Sequence, residues 1–196
     1  MKILFRLSIL ALLLCAAGHG FAQGSSDKKS SKVSVKYDKG KDATTARLKP
    51  FALKRLPSVT DKATNITEHQ MDLEIIFQFK GQGKGTVKDE VEFRFHCTAA
   101  NYVFLRGFPV TAVLDRNASG EDRAIALGDT DYKSEPPKFN TLYEEFLTVR
   151  VPAEALSKIG RANSLEIFLG PVGYSITESQ LAAIKELAGY GPDPAT

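Results

Sequence analysis

The sequence is poor in the residues that most often perform catalysis or bind metals: it has no tryptophan, two cysteines and three histidines. The lack of tryptophan removes a common stacking platform for sugars, although other aromatic residues can take that role (Tyr102, Phe108, Tyr132 and Tyr143). It contains neither Gly-x-Ser-x-Gly nor His-Glu-x-x-His, and no paired cysteines at metal-binding spacing. The nucleophile elbow of α/β-hydrolases and the common zinc motifs are therefore excluded.

The longest apolar run lies at the start of the sequence, over residues 7–17. Positive charge precedes this run, and two small residues spaced two apart follow it (Lys2, Arg6, Gly20 and Ala22). This three-part pattern is typical of a secretory signal peptide, so we predict that residues 1–22 are removed before Gln23. A transmembrane helix needs about 20 apolar residues, and this run is shorter. We therefore expect a periplasmic or secreted protein with no integral membrane segment in its mature chain.

Cys15 lies inside the apolar run and is expected to be removed with it. Bulky Leu14 precedes it, whereas bacterial lipoprotein signals have a small residue before the lipid-attachment cysteine. Cys97 is then the only cysteine left, so an intramolecular disulfide is excluded. A fold without bridges depends on its own hydrophobic core, for which about 170 residues are ample.

The mature chain divides into three predicted segments. Residues 23–32 are rich in Ser, Gly and Lys and are predicted to form a flexible linker. Residues 33–190 are predicted to form a single β-rich domain, and residues 191–196 a disordered tail.

Positive charge is concentrated near the start of the mature chain. Residues 27–55 hold ten Lys or Arg against three acidic residues, a formal charge of +7, whereas residues 56–196 carry −6. Such an arm either binds an anionic surface or combines a solvated linker with a lysine-rich edge strand. We favour the second interpretation because no aromatic residues are interleaved with the charges, and we expect no nucleic-acid partner.

Alternation of apolar and polar residues predicts half-buried strands from Met71 onwards. Over 71–79 and 91–97 the apolar side chains share one face (Met71, Leu73, Ile75, Phe77, Phe79, Val91, Phe93, Phe95 and Cys97). One or two strands are predicted within 102–115, with a break near Gly107 and Pro109. Further strands are predicted within 123–127, 141–151 and 164–170, and a loop over 130–140. Residues 48–70 contain Pro50 and Pro57 and are predicted as loop or irregular strand.

His96 and Cys97 are adjacent in the sequence but are not predicted to act together. Neighbouring side chains on a strand point to opposite faces, so His96 cannot serve as a base for a Cys97 nucleophile. Cys97 is predicted to be a packed core thiol. The mature chain has one other histidine, His69, and no spacing predicts a histidine-based zinc site.

The C-terminal part predicts two short helices. Residues 152–160 begin with Pro152 and end with Gly160, which suit the first helical position and the position after the last. A second helix, residues 178–188, follows a predicted capping box of Thr177 and Gln180. Between them, the sequence Gly-Pro-Val-Gly at 170–173 predicts a type I turn with Pro171 second.

Two stretches resemble a group of small exported bacterial proteins and lipoproteins. These are the Tyr-Asp-x-x-x-Asp-x-Thr start within residues 37–48 and the strand, turn, Thr-x-x-Gln-Leu cap and closing helix within residues 156–188. Leu165 stands where that group usually has valine. The group is uncharacterised, so the resemblance implies a fold and an export route, but no activity and no site residues.

Several weak site signals have simpler interpretations. Asp129, Asp131 and Glu135 lie close in sequence but lack the dense acidic and glycine pattern of a calcium loop. The glycine-rich residues 81–85 lead towards a strand, which indicates a hairpin turn and not a phosphate-binding loop. Two Asn-x-Ser/Thr sequons, at Asn65 and Asn117, matter only in a eukaryotic secretory route.

We predict a mainly β fold: an antiparallel β-sandwich or curled sheet of about seven to nine strands with two short C-terminal helices. The predicted function is a non-catalytic binding module of the cell envelope or secreted fraction, with an envelope protein or a glycan as partner and with no catalytic, cofactor-binding or metal site. One alternative is an exported hydrolase that brings together two or more of its candidate groups (His69, His96, Asp129, Asp131 and the glutamates). The other is a sandwich that binds a lipid or small ligand in an apolar cavity.

Overall fold

The structure is a computed structural model that describes residues 32–57, 68–86, 88–116, 124–137 and 142–192. Within these ranges the strands are β1 (Val33–Asp38), β2 (Ala43–Ala52), β3 (Lys54–Arg55), β4 (His69–Lys80), β5 (Glu90–Ala99), β6 (Pro109–Leu114), β7 (Ala124–Asp129), β8 (Asp131–Glu135), β9 (Tyr143–Pro152), β10 (Leu165–Leu169) and β11 (Val172–Ser175). The helices are α1 (Ala153–Ile159) and α2 (Glu178–Ala188). The predicted signal peptide, nearly all of the predicted linker and both sequons lie outside the described residues.

The strands form two antiparallel sheets. One has six strands in the order β1-β2-β4-β5-β9-β8, and the other has five in the order β3-β11-β10-β6-β7. The chain passes from the second sheet to the first at Thr130, the single residue between β7 and β8. The predicted fold class is therefore confirmed. The predicted strand number was too low, because the described residues alone contain eleven strands.

The inner faces of both sheets contribute to one hydrophobic core. Alternate residues of β4 and β5 are fully buried, as predicted (Met71, Leu73, Ile75, Phe77, Phe79, Val91, Phe93, Phe95 and Cys97). Side chains of the five-stranded sheet complete the core (Val110, Ala112, Leu165, Ile167, Leu169 and Tyr174). Burying a large apolar side chain stabilises a fold by about 1.5–3 kcal/mol, so this set provides the main stabilising contribution.

Both predicted helices are present and pack against the six-stranded sheet. α1 contacts β5 and β9, and α2 contacts α1, β1 and β2. The capping box of α2 is confirmed: the Thr177 hydroxyl accepts the Gln180 N–H at 3.3 Å, and the Gln180 side chain accepts the Thr177 N–H at 2.8 Å. In α1 the predicted pair of Glu154 and Lys158 is 3.1 Å apart.

The described residues continue two positions past the predicted end of the domain. Gly191 is buried, and the Pro192 carbonyl accepts a hydrogen bond of 3.4 Å from the Ser157 hydroxyl. The remaining residues of the predicted tail lie outside the described ranges.

The turn between β10 and β11 differs from its prediction. Leu169 pairs with Val172, which leaves Gly170 and Pro171 as a two-residue hairpin loop. Gly170 is therefore at the first central position of the turn, and its φ is +54°. Two-residue hairpins favour positive φ because such turns match the twist of the strands, so the predicted type I register was one residue late.

One other prediction needed correction. β8 lies within residues 130–140, which were predicted as a loop; this strand is polar because it is an edge strand and pairs with β9 alone. Strand β2 continues through Pro50, beyond the end of its pairing with β1, where a missing N–H costs little, and its register shifts between Leu48 and Phe51, as predicted for an irregular strand. Residues 102–108 are irregular and β6 is the one strand within 102–115, in agreement with the predicted one or two.

Candidate functional site

A buried carboxylate lies at the end of the six-stranded sheet where β5 ends and β9 begins. Glu145 is 1% exposed and lies in register with Cys97, which in turn pairs with Met71. Four donors surround its two oxygens: the backbone N–H groups of Val103 at 2.6 Å, Phe104 at 3.0 Å and Leu105 at 2.9 Å, and the hydroxyl of Tyr132 at 2.9 Å. Charge-assisted hydrogen bonds of this kind offset the cost of removing a carboxylate from water.

The loop that supplies these amides, residues 102–108, has an irregular but fixed path. At its far end the Phe108 N–H donates to the Thr130 hydroxyl at 2.9 Å, and that hydroxyl donates to the Phe108 carbonyl at 3.1 Å. Gly107 packs so closely on Thr130 that a Cβ there would overlap the Thr130 carbonyl oxygen. The 102–108 loop is therefore tied to the sheet at its middle and at its end.

Cys97 is a core thiol, as its position in the alternation predicts. It is 1% exposed and unpaired. Burial raises the pKa of the Cys97 thiol to about 12, and the negative charge of Glu145 adds to the rise. Because the thiolate is the reactive form, this cysteine is a weak nucleophile at neutral pH. His96 lies on the opposite face of β5, where its ring stacks on Phe146 at 4.6 Å.

The two histidines of the predicted domain are not brought together. His69 lies at the start of β4, and its Nε2 is 2.6 Å from the hydroxyl of Tyr174. Burial raises the pKa of Tyr174 well above its usual range. His96 lies 3.5 Å from Glu144 on the outer face of the sheet. Within the described ranges, no group of three or more His, Cys, Asp or Glu side chains is placed to hold a metal ion.

The remaining candidate residues are spread over the surface. Asp129 and Asp131 are exposed at the crossing from β7 to β8. Glu135 forms an ion pair of 2.9 Å with Lys133. Of the aromatic residues considered for stacking, Tyr102 and Tyr143 contact each other at 4.4 Å between ring centres, next to the 102–108 loop.

The outer face of the six-stranded sheet carries a network of alternating charges, here called the charged ladder (Arg47, Glu74, Glu92, Arg94 and Arg150). Glu74 is buried between Arg47, with which it is hydrogen-bonded, and Arg94 at 3.7 Å. Glu92 bonds Arg94 and lies 3.7 Å from Arg150. Sequence alternation placed Glu74, Glu92 and Arg94 on this face, but the pairing depends on strand order, which the sequence did not predict.

One end of this face forms an open depression of about 670 Å³, at the turns that join β1 to β2 and β4 to β5. It is lined by strand and turn residues (Lys41, Asp42, Ala43, Ile76, Gln78, Phe79, Lys80, Lys88, Asp89, Glu90, Glu92, Arg94 and Arg150). The set contains five basic and four acidic side chains. Lys41, Lys80 and Lys88 make no ion pair within the described part of the chain.

Three of the four acids in the depression already have partners. Asp42 accepts the hydroxyl of Tyr37 at 2.9 Å, and Asp89 accepts the N–H of Thr86 at 2.5 Å. Glu92 belongs to the charged ladder. The donors to Asp42 and Asp89 are neutral, so both carboxylates keep their charge, and the depression presents positive and negative groups in nearly equal number.

Comparisons with known proteins identify no relative: no family model matches the chain, and no match is found among the curated proteins or the solved structures. The resemblance to exported bacterial proteins thus stays a prediction. Neither helix within the described ranges is long and apolar enough to span a bilayer.

Proposed function

We propose that this chain is an exported, non-catalytic interaction module of the cell envelope or secreted fraction, and that it binds a partner protein in the depression. The observation that carries this proposal is an open, charged concavity of about 670 Å³ built largely on strands. Side chains on hydrogen-bonded strands are held more firmly than side chains on loops, so the surface keeps its shape on binding. The predicted signal peptide supports export.

The charges of the depression favour a protein over a glycan. A neutral sugar commonly stacks on an exposed aromatic ring, and the one aromatic lining residue, Phe79, is buried. A polyanionic chain would meet four carboxylates. A protein surface can instead place its own acids against Lys41, Lys80 and Lys88 and a basic group against Glu90, which is the complementarity that gives interfaces their specificity.

The placement of the chemically reactive groups supports a non-catalytic role. The Cys97 thiol is buried in the core. Both carboxylate oxygens of Glu145 already accept hydrogen bonds from protein donors. His69 and His96 lie on opposite faces of the sheet. Of the candidate acids and bases, His96 and Glu144 approach each other to 3.5 Å, but this pair lies on the outer face of the sheet and does not line the depression.

Cross-linking in the native envelope fraction tests the proposal. The full chain, carrying an affinity tag, is cross-linked in cells that naturally produce it, and its adducts are identified by mass spectrometry. We expect a protein adduct whose yield falls about tenfold in the double variant Lys80→Glu and Lys88→Glu. The matched control is Lys36→Glu with Lys54→Glu, which reverses two exposed lysines outside the depression.

Two outcomes would contradict the proposal. In the first, the two double variants give the same adduct yield. In the second, mass spectrometry of the adduct finds attached sugar and no peptides of a second protein, which would identify the partner as a glycan.

A further inference from the structure

Leu105, in the middle of the 102–108 loop, is a large apolar residue that lies outside the hydrophobic core. Its side chain is 68% exposed, more than the other two exposed large apolar residues of the described ranges, Leu142 at 43% and Val35 at 46%. Its φ is +63°. The left-handed region costs an ordinary residue about 1–2 kcal/mol, and glycine avoids that cost. The backbone path therefore favours glycine, and the leucine side chain gains no burial in return.

Hydrogen bonds to the buried Glu145 hold Leu105 in this strained conformation. Leu105 donates its N–H to Glu145 at 2.9 Å, as do the two residues before it, and Glu145 is further fixed by Tyr132. The buried carboxylate thus requires three successive amides to point inwards, and this turns the Leu105 side chain outwards. Residues in such sparsely populated conformations persist where the surroundings impose them, and they cluster at ligand clamps and other functional sites.

The neighbours of Leu105 are suited to an interface. Arg106 lies over the ring of Phe108 at 5.2 Å and makes no ion pair within the residues that the structure describes. Tyr102 and Tyr143 form a contacting pair, and exposed Leu142 precedes Tyr143. Tyrosine and arginine are enriched among the residues that dominate binding energy at protein interfaces.

We propose that the 102–108 loop is a second interaction surface, on which Leu105 inserts into an apolar pocket of a partner protein and Arg106 pairs with a carboxylate at the rim of that pocket. The partner must supply an acidic group there because the guanidinium of Arg106 is exposed and positively charged, and interfaces place opposite charges against each other. A lipid bilayer is a poorer occupant, since even a myristoyl chain gives only marginal membrane binding. Pre-ordering the loop reduces the entropy lost on association.

This surface lies at the opposite end of β5 from the depression. β5 spans ten residues, about 30 Å at the usual rise of a strand. The second surface therefore goes beyond the proposed function, and each surface can be tested without the other.

A photo-cross-linking experiment tests the loop. The amber codon is placed at Asn101, an exposed position beside the loop, and p-benzoylphenylalanine is incorporated into the full chain in cells that naturally produce it. We expect a protein adduct whose yield falls at least tenfold in Leu105→Gly and in Arg106→Glu, as the loss of a buried leucine or an ion pair predicts. Val35→Thr, which changes an exposed apolar residue on another strand, should leave the yield unchanged.

The fold of each variant is checked by urea unfolding, and Leu105→Gly should be no less stable than the unmodified chain. A protein adduct that depends on both Leu105 and Arg106 supports the proposal. Three results would overturn it: no adduct at Asn101, an adduct unaffected by Leu105→Gly, or an adduct with a second copy of this chain. Loss of the Asn101 adduct with an intact adduct at the depression would separate failure of this surface from failure of the proposed function.

Discussion

On the outer face of the six-stranded sheet, two carboxylates pair with half-exposed arginines, whereas at the 102–108 loop a single carboxylate is buried among backbone amides. Glu74 and Glu92 share Arg47, Arg94 and Arg150, whose side chains are about half exposed or more. Ion pairs of this kind contribute little and weaken as salt screens them. At the 102–108 loop, solvent ions or water can take the place of the backbone amides as partners of Glu145 only if the loop opens. The first arrangement leaves a surface free to exchange partners, and the second fixes a backbone shape.

The largest expected effect is that of removing the buried charge. Glu145→Gln replaces one acceptor oxygen by an NH2 group that itself donates, which leaves buried N–H groups of the loop without an acceptor. Each unsatisfied buried donor costs about 1–3 kcal/mol, so we expect the free energy of unfolding to fall by about 3 kcal/mol. Glu92→Gln, the matched change at the more exposed carboxylate of the charged ladder, should cost about 1 kcal/mol. Urea denaturation at pH 7 measures both.

If the free energy of unfolding falls equally in both variants, to within about 0.5 kcal/mol, the two carboxylate arrangements do not differ in the way argued. The 102–108 loop would then be held by contacts other than Glu145, and the conformation of Leu105 would need another cause.

Alkaline pH should lower the stability of the protein through the buried thiol of Cys97, which lies in register with Glu145. Burial holds the pKa of Cys97 at about 12, whereas the thiol of an unfolded chain titrates near about 8.5. Between these values the unfolded chain loses its proton while the folded protein keeps it, so stability falls as pH rises, by at most about 1.4 kcal/mol per pH unit. Below pH 8 or so this contribution is constant.

The pH series is compared with the same series on Cys97→Ala, which lacks the titrating thiol but keeps the other groups. The unmodified chain should lose stability more steeply between pH 9 and 11, give or take half a unit. Parallel slopes would mean that the thiol ionises in the folded state, and that Cys97 is more accessible than its 1% exposure indicates.

Salt should affect the two carboxylate arrangements differently. Raising the ionic strength from about 0.1 M to about 1 M shortens the screening length from roughly 10 Å to 3 Å. The cost of Glu92→Gln should therefore shrink by about half, while the cost of Glu145→Gln should stay the same. Urea denaturation of both variants at the two salt concentrations measures this, and a shared salt dependence would show that solvent ions reach Glu145.

The sequence predicted the charged face better than the 102–108 loop. Period-two alternation placed Glu92 and Arg94 outwards and Phe93 and Phe95 inwards, because strand periodicity is a local property. The same alternation places Glu145 on the inner face with Leu147. It does not reveal the donors to Glu145, since Val103 and Leu105 are 42 and 40 residues away. A charged residue in the inward phase of a strand is the signal that should have prompted a search for such partners.

Strand pairing was similarly beyond local patterns, whereas the misplaced turn at Gly170 and Pro171 was a local error. β8 is a polar edge strand whose assignment depends on β9 as its neighbour, and no repeat in its five residues indicates a strand. The capping box of Thr177 and Gln180, by contrast, was predicted correctly because its contacts span three residues. Accuracy thus declined with the separation in sequence of the groups that make each contact.

The smallest expected effect isolates the backbone strain at Leu105. Leu105→Gly removes the left-handed penalty of about 1 kcal/mol but adds chain entropy to the unfolded state, about 0.5 kcal/mol, so the net result should be a slight stabilisation. Leu105→Ala keeps the Cβ and therefore the strain, and since the leucine side chain is 68% exposed, its loss should change stability little. The difference between the two variants in urea unfolding measures the strain itself. If Leu105→Gly instead lowers stability by more than about 1 kcal/mol, the leucine supports the fold, and its exposure no longer calls for a binding partner.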